Sequence, residues 1–195
     1  MLQRAVFYLR HTLPYHQWVC LTESEFANRL LENASAHPAA GYLAEGLFGH
    51  QRGLYKRLAQ YTLSDSPDVF AAVARRPYAE LVEVSGRLAE QLSGRLSRPI
   101  LPHEVLIDAP PVELEVQFQI DVRQDIKQHA LAASSKARFQ RLSNVSPVVR
   151  ALATDQFDNF VKRIRIFIAP ERAAELPHAP DDVTRALLSA ADDLV

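Results

Sequence analysis

Catalytic chemistry in this chain would need nucleophiles, acid–base pairs or metal ligands, and residues of those types are dispersed along it. None of the seven histidines adjoins an aspartate or forms a His-Glu-x-x-His pattern, which argues against a metal site. Cys20 lies in an apolar stretch, so we interpret it as a small buried residue rather than a nucleophile. The carboxylate pairs Asp181-Asp182 and Asp192-Asp193 lie in a polar tail, where solvated charge is the usual role. The sequence therefore offers no self-contained catalytic constellation.

Two clusters of basic residues remain as candidates for chemistry. Arg52, Lys56 and Arg57 surround an aromatic residue within one short segment. Arg163 and Arg165 are spaced to share one face of a strand. Guanidinium groups form forked hydrogen bonds with phosphate, and a lysine adds a point charge. These five side chains are the candidate phosphate-binding residues, and the alternative is a solvated or salt-bridged surface.

The elements before residue 100 are predicted to be mostly helical. Apolar residues recur at helical spacing, and the segment from Thr22 to Glu25 has the pattern of a capping box. Residues 54–61 fit a strand or a helix end equally well. The predicted helices span residues 2–13, 22–33, 38–48, 67–74 and 77–94.

After Pro99 the apolar pattern changes to alternation, which is typical of half-buried strands. Helices first and strands later predict an α+β fold, with a small antiparallel sheet, helices packed on one face and an attached helical lobe. The predicted strands are residues 105–107, 114–122, 137–142 and 163–168, and the predicted later helices are 146–160 and 181–194. The predicted domains are a helical lobe (1–100), an α+β lobe (101–176) and an acidic terminal helix or tail (177–195).

The composition predicts a soluble cytoplasmic protein. Hydrophobic residues make up 48% of the chain, and no apolar run approaches the roughly 18–20 residues of a membrane span. The first residues lack the pattern of a signal peptide, and one cysteine allows no intrachain disulfide. Residues 123–165 carry nine Lys or Arg against three Asp or Glu, whereas residues 171–195 carry six acids against two Arg. This asymmetry indicates an anionic ligand or contact between the two segments, with a solvated surface as the alternative.

Several short motifs follow one another in a fixed order over about residues 1–175. They are Met1-Leu2-Gln3-Arg4-Ala5-Val6, Leu21-Thr22-Glu23-Ser24-Glu25-Phe26, Arg52-Gly53-Leu54-Tyr55-Lys56-Arg57, Val105-Leu106-Ile107-Asp108-Ala109-Pro110, and the segment from Ser146 to Ile168. As an ordered set they resemble the region after the catalytic core of HD-domain dNTP triphosphohydrolases and related HD phosphohydrolases. The similarity points to the branch that contains the sterile-alpha-motif/HD-domain enzyme.

The resemblance implies an accessory, regulatory module of an HD-type nucleotide phosphohydrolase. In that family a His, a His-Asp pair and a distal Asp hold a divalent metal that activates water. Those motifs precede the equivalent of Met1 and do not occur in this chain, so we expect no cofactor here and assign the metal to the missing core. In the nucleotide-activated branch an Arg-x-x-aromatic-Lys motif contacts an allosteric nucleotide, and Arg52 and Lys56 occupy its two basic positions.

The resemblance also implies partners. As protein partners we expect further copies of this chain in a homo-oligomer, or a separate HD catalytic chain. As a ligand we expect a nucleoside triphosphate. We expect no binding to a membrane or to nucleic acid. Without the core, the first helix should expose an apolar face with Val6, Phe7 and Leu9, which calls for a partner. The alternatives are a free-standing interaction module or degenerate remnant with no nucleotide role, and an enzyme of unrecognised type.

We predict that this chain alone releases no phosphate or triphosphate from nucleotides, because the family's metal ligands do not occur in it. Product release from a nucleotide panel with Mn²⁺, Mg²⁺ or Co²⁺ measures this. Turnover that follows the protein through successive purification columns would contradict the prediction.

Overall fold

The structure is a computed structural model that describes residues 1–94, 96, 98–110, 120–124, 138–151, 162–176 and 180–192. Its helices are α1 (Leu2–Leu9), α2 (Tyr15–Trp18), α3 (Glu23–Ala34), α4 (Pro38–Phe48), α5 (Pro67–Val73), α6 (Tyr78–Ser93), α7 (Leu142–Val145), α8 (Pro147–Ala151), α9 (Pro170–Ala173) and α10 (Pro180–Asp192). Its strands are β1 (Lys56–Thr62), β2 (Val105–Asp108), β3 (Asp121–Gln124), β4 (Arg138–Arg141) and β5 (Arg163–Ile168). The predicted α+β class is confirmed.

The main sheet has the strand order β1-β5-β2, and β5 pairs antiparallel with both neighbours. Ile164, Ile166 and Ile168 are fully buried on one face, which we call the inner face. The side chains of the intervening residues of β5 project from the opposite face, which we call the outer face, since side chains alternate along a strand. The segment 54–61, which fitted a strand or a helix end, forms β1 because it finds a partner about a hundred residues later.

The inner face of the sheet packs against α5, α6 and α10. In α6 the spacing of Leu81, Val84 and Leu88 gives a continuous buried stripe, as its periodicity predicts. The terminal helix is present as α10, but it is more than the polar acidic element that the sequence suggested. It places Val183 and Leu187, among others, in the same core. Its acids occupy the remaining face, so a helix with acidic ends still contributes to the core.

Part of the outer face is covered by α1 and α4. Ala5 and Leu43 from these helices are buried against Leu106 of β2. Behind them α1, α3 and α4 form a second cluster, and the predicted capping box of α3 is present with Thr22 and Glu25. The expectation that α1 exposes an apolar face is wrong. Leu9 is buried in the second cluster because α3 and α4 of the same chain supply the covering surface.

A buried ion pair joins the loop before β2 to α9. The Arg172 guanidinium donates from Nε to Glu104 Oε1 at 3.2 Å, and these side chains are only 3% and 4% exposed. Arg172 Nη2 also donates to the Pro99 carbonyl at 3.2 Å, and Glu104 Oε2 accepts from the Leu101 N–H at 2.7 Å. The backbone N–H of Ala169 donates to the Glu104 carbonyl at 2.8 Å, which continues the β2–β5 ladder. The pair therefore holds together the segments that precede β2 and follow β5 at this end of the sheet.

A second sheet pairs β3 with β4, in register from Asp121↔Arg141 to Gln124↔Arg138. The predicted strand 137–142 corresponds to β4. The predicted strand 114–122 overlaps β3 at residues 121–122, and residues 114–119 lie outside the described residues. The predicted helix 146–160 is described only as α8, and its remainder lies outside them too. The proposed division at residue 100 stays a prediction, although β1 lies before it and shares a sheet with β2 and β5.

We predict that Arg172→Met lowers the free energy of unfolding by about 3–5 kcal/mol, because it removes the buried partner of the Glu104 carboxylate and leaves only the exposed Arg98, 3.5 Å away. Arg185→Met is the matched control. Arg185 is 79% exposed and its ion pair with Asp182 spans 3.7 Å, so its loss costs only about 0–1 kcal/mol. Urea unfolding of the three proteins measures both values. A loss for Arg172→Met no larger than for the control would show that the buried pair does not stabilise the fold.

Candidate functional site

Three of the candidate basic residues lie on the outer face of the main sheet. Arg163 and Arg165 alternate with the buried isoleucines of β5, so they share that face, as their spacing predicts. Arg57 of β1 lies directly opposite Phe167 of β5. Side chains that lie opposite each other in an antiparallel pair project from the same face of the sheet, so Arg57 is also on the outer face. We call the surface formed by Arg57, Arg163 and Arg165 the outer arginine face.

The charges on this face are only partly neutralised. Arg165 Nη1 lies 3.1 Å from Asp108 Oδ2, with both side chains well exposed. Arg57 Nη1 donates to Gln60 Oε1 at 3.0 Å, which leaves its charge uncompensated. Within the described residues, the Arg163 side chain makes no hydrogen bond or ion pair. The face therefore carries three cations and one nearby carboxylate.

The other two candidate residues are placed elsewhere. Lys56 lies opposite Ile168, a residue of the inner face, so its side chain leaves β1 on the side opposite to Arg57. Arg52 is exposed in the loop before β1. In the part of the chain that the structure describes, neither residue forms an ion pair, and Glu45 is not a partner of Arg52. The segment 52–57 is therefore not one constellation, because neighbouring residues of a strand point to opposite faces.

An apolar groove adjoins the outer arginine face. It has a volume of about 230 Å³. One of its lining residues, Phe167, lies on the outer face of the sheet opposite Arg57. Leu2 and Leu54 on its walls are 40% and 48% exposed. The groove is lined by Met1, Leu2, Leu47, Leu54, Tyr55, Leu106 and Phe167. Sequence reasoning missed it, because its walls come from four distant segments of the chain and no local pattern marks them.

One wall of the groove is rigidly held. The Tyr55 hydroxyl donates to the His103 carbonyl at 2.6 Å, and burial raises the pKa of this hydroxyl, so it stays protonated. The His103 ring packs against Tyr42, and burial lowers the pKa of His103. The Tyr42 hydroxyl in turn donates to Glu171 at 2.7 Å. These groups are engaged in packing and hydrogen bonds, which indicates a structural role.

Within the described ranges, the remaining histidines and the cysteine form no second site. His37 accepts from the Ala40 N–H as the cap of α4 and stacks on Tyr8. His11, His16 and His50 are exposed, and His129 and His178 lie outside the described residues. No group of three or more His, Cys, Asp or Glu in the described ranges is arranged to hold a metal ion.

Cys20 is exposed, so its interpretation as a buried residue is wrong. Its apolar neighbour Val19 is 83% exposed, in the turn that follows α2. Within this apolar stretch Trp18 is buried in the second cluster and Leu21 packs against it, whereas Val19 and Cys20 face solvent.

Comparisons with protein-family models, with curated proteins and with solved structures find no match for this chain. Among the described residues, no helix has the length and apolar character needed to cross a membrane. The site must therefore be interpreted from its own geometry.

Proposed function

We propose that this chain is a non-catalytic, regulatory module of an HD-type nucleotide phosphohydrolase, which acts in the cytoplasm and binds a nucleoside phosphate on its outer arginine face. The observation that carries the proposal is that Arg57 and Arg165 lie beside Phe167 of an apolar groove, with Arg163 about 13 Å from Phe167 along the same strand. A nucleoside phosphate has both an anionic part and a flat, weakly polar part. The two halves of the site match those two parts.

The phosphates bind to the arginines. Among the described residues Arg163 has no competing partner to be displaced, and Arg165 is held by one exposed ion pair worth about 0–1 kcal/mol. A nucleoside triphosphate carries several negative charges and can also bind Arg57 and Arg163, so it exchanges for the single Asp108 carboxylate at Arg165. The forked guanidinium geometry suits the non-bridging oxygens of phosphate.

The base of the nucleotide enters the groove. Phe167 lies at its junction with the outer arginine face and offers an aromatic edge or face for stacking. Leu54 and Leu2 provide apolar surface that is otherwise exposed to water. Burying this surface adds affinity and favours nucleosides over inorganic phosphate.

The partner follows from the family resemblance rather than from the groove. Arg52 and Lys56 are exposed and lack ion pairs within the described part of the chain, which supports a role towards another molecule. We propose that they contact a nucleotide in a site completed by a second copy or by a separate HD catalytic chain. That chain would also supply the divalent metal.

A second candidate function is an interaction module with no nucleotide role. It is favoured by large apolar side chains that are exposed in the second sheet and beside it, where Ile120 is 57%, Phe139 61% and Val148 68% exposed. Such side chains are typical of surfaces that a partner covers. Under this alternative the arginines contribute only to solubility.

We predict that Arg57→Ala and Arg163→Ala each weaken the binding of GTP and dNTPs by about ten- to a hundredfold, because each removes one charge-assisted hydrogen bond. Asp108→Asn should tighten binding by up to about fivefold, since it releases Arg165. Arg185→Ala, an exposed arginine on the inner-side helix α10, is the matched control and should leave affinity unchanged. Calorimetric titration of the isolated chain measures all four variants.

Equal affinities for wild type, Arg57→Ala and Arg163→Ala would overturn the site. The absence of saturable nucleotide binding in the wild type would favour the interaction module instead. Equal affinities for nucleotides and inorganic triphosphate would remove the groove from the proposal and retain the arginines.

We further predict that Arg52→Ala and Lys56→Ala reduce nucleotide affinity by about tenfold or more when an HD catalytic chain is present. In the isolated chain Lys56→Ala should have no effect, because Lys56 and the outer arginine face lie on opposite sides of the sheet. Titration of GTP and dNTPs with and without the catalytic chain makes the comparison. Identical affinities for wild type and both variants in the presence of the catalytic chain would remove the regulatory site implied by the resemblance.

A further inference from the structure

A second cleft lies at the end of the main sheet where β1 ends and β5 begins. Leu63 follows β1, Pro110 closely follows β2 and Lys162 precedes β5, so the antiparallel pairing brings these positions to one edge. The helix α5 closes the cleft, whose volume is about 340 Å³. We call it the α5 cleft, and it is lined by Leu63, Pro67, Phe70, Ala71, Ala74, Arg75, Pro110 and Lys162. It shares no residue with the outer arginine face.

The lining of the α5 cleft has an amphipathic composition. Six of its residues are apolar, two are cations, and none is an acid. Small-molecule sites typically begin near 300 Å³ and are mostly apolar with a few polar groups that orient the ligand. At roughly 30 Å³ for each water-sized group, this cleft takes about eleven of them. The composition therefore fits a small ligand with an apolar body and a negative end.

Arg75 differs from the neighbouring Arg76 in the partners of its side chain. Arg76 is fully engaged, since its guanidinium donates to the carbonyls of Ala72 and Ala191 and lies 3.6 Å from Glu80. The Arg75 side chain is exposed and makes no hydrogen bond or ion pair within the described ranges. One arginine therefore ties α5 to α10, and the next is left at the cleft with its charge uncompensated.

The backbone of Arg75 is also unusual. Its φ of 66° lies in the left-handed region, and no other described non-glycine residue has a positive φ. Its N–H donates to the Pro110 carbonyl at 3.1 Å, which holds the chain in this conformation across the cleft. Glycine adopts such a conformation without steric cost, whereas arginine does not. A strained arginine that stabilises nothing through its side chain indicates a role in binding.

We infer that the α5 cleft binds a small carboxylate with an apolar chain, such as a medium-chain fatty acid. The chain lies against Phe70, Ala71 and Leu63, and the carboxylate accepts a forked pair of hydrogen bonds from Arg75. This site is separate from the proposed nucleotide site and does not depend on it.

Titration of the full chain with octanoate tests the inference, and 1-octanol and acetate serve as probes for the two halves of the ligand. Wild type should bind octanoate saturably, and Arg75→Gly should weaken that binding by about tenfold or more. Binding of 1-octanol should be the same in both proteins, because it lacks the carboxylate. Ala71→Leu, which fills the cleft, should weaken both ligands, and acetate should bind far more weakly than octanoate.

Arg75→Gly should melt no lower than wild type, because glycine relieves the left-handed strain, so lost binding cannot be assigned to unfolding. Arg75→Asn, which also tolerates this conformation, should repeat the loss of octanoate binding. Arg57→Ala, at the end of the sheet opposite to the α5 cleft, should leave octanoate affinity unchanged, which separates this site from the nucleotide site. Undiminished octanoate affinity in Arg75→Gly, or no saturable binding in wild type, would overturn the inference.

Discussion

The two-sided pairing of β5 is the constraint on which the rest of the structure depends. β5 is the central strand, and its side chains alternate strictly between buried isoleucine and exposed or half-exposed residues. The isoleucines give α5, α6 and α10 a common surface to pack on. The same alternation turns Arg163 and Arg165 outward together. A slip of one residue in the pairing would exchange the two faces, so core and candidate site have a single structural origin.

The register of β5 is held at its end by the buried pair of Glu104 and Arg172. Each of the two side chains also forms a hydrogen bond with a backbone group, which offsets part of the free-energy cost of removing two charges from water. The Ala169 N–H bonded to the Glu104 carbonyl carries the ladder one step beyond the strands. Because β2 also bears Asp108, the same register sets the distance between that carboxylate and Arg165. The ion pair of Glu104 and Arg172 at one end of β2 therefore helps to set the distance between Asp108 and Arg165 at the other end.

Local patterns in the sequence predicted much of the fold and less of the site. The stripe of α6 and the cap of α3 depend on residues within a few positions of one another, and both are present. The state of residues 54–61 depends on a strand far along the chain, and periodicity left it open. The separation of Lys56 from Arg57 follows once β1 is known to be a strand. The groove beside Phe167 could be found only from the tertiary structure. The apolar stretch around Cys20 was misleading because Trp18 and Leu21 reach the second cluster while Val19 and Cys20 between them face solvent.

The central claim is that the outer arginine face and its groove form one nucleotide site. Chemical-shift mapping of isotope-labelled protein during a GTP titration tests it most directly. The account predicts that the largest shifts occur at Arg57, Arg165 and Phe167, while α10 on the inner side of the sheet remains unchanged. Shifts centred on α10 or on the α5 cleft, or no saturable shift at all, would contradict it.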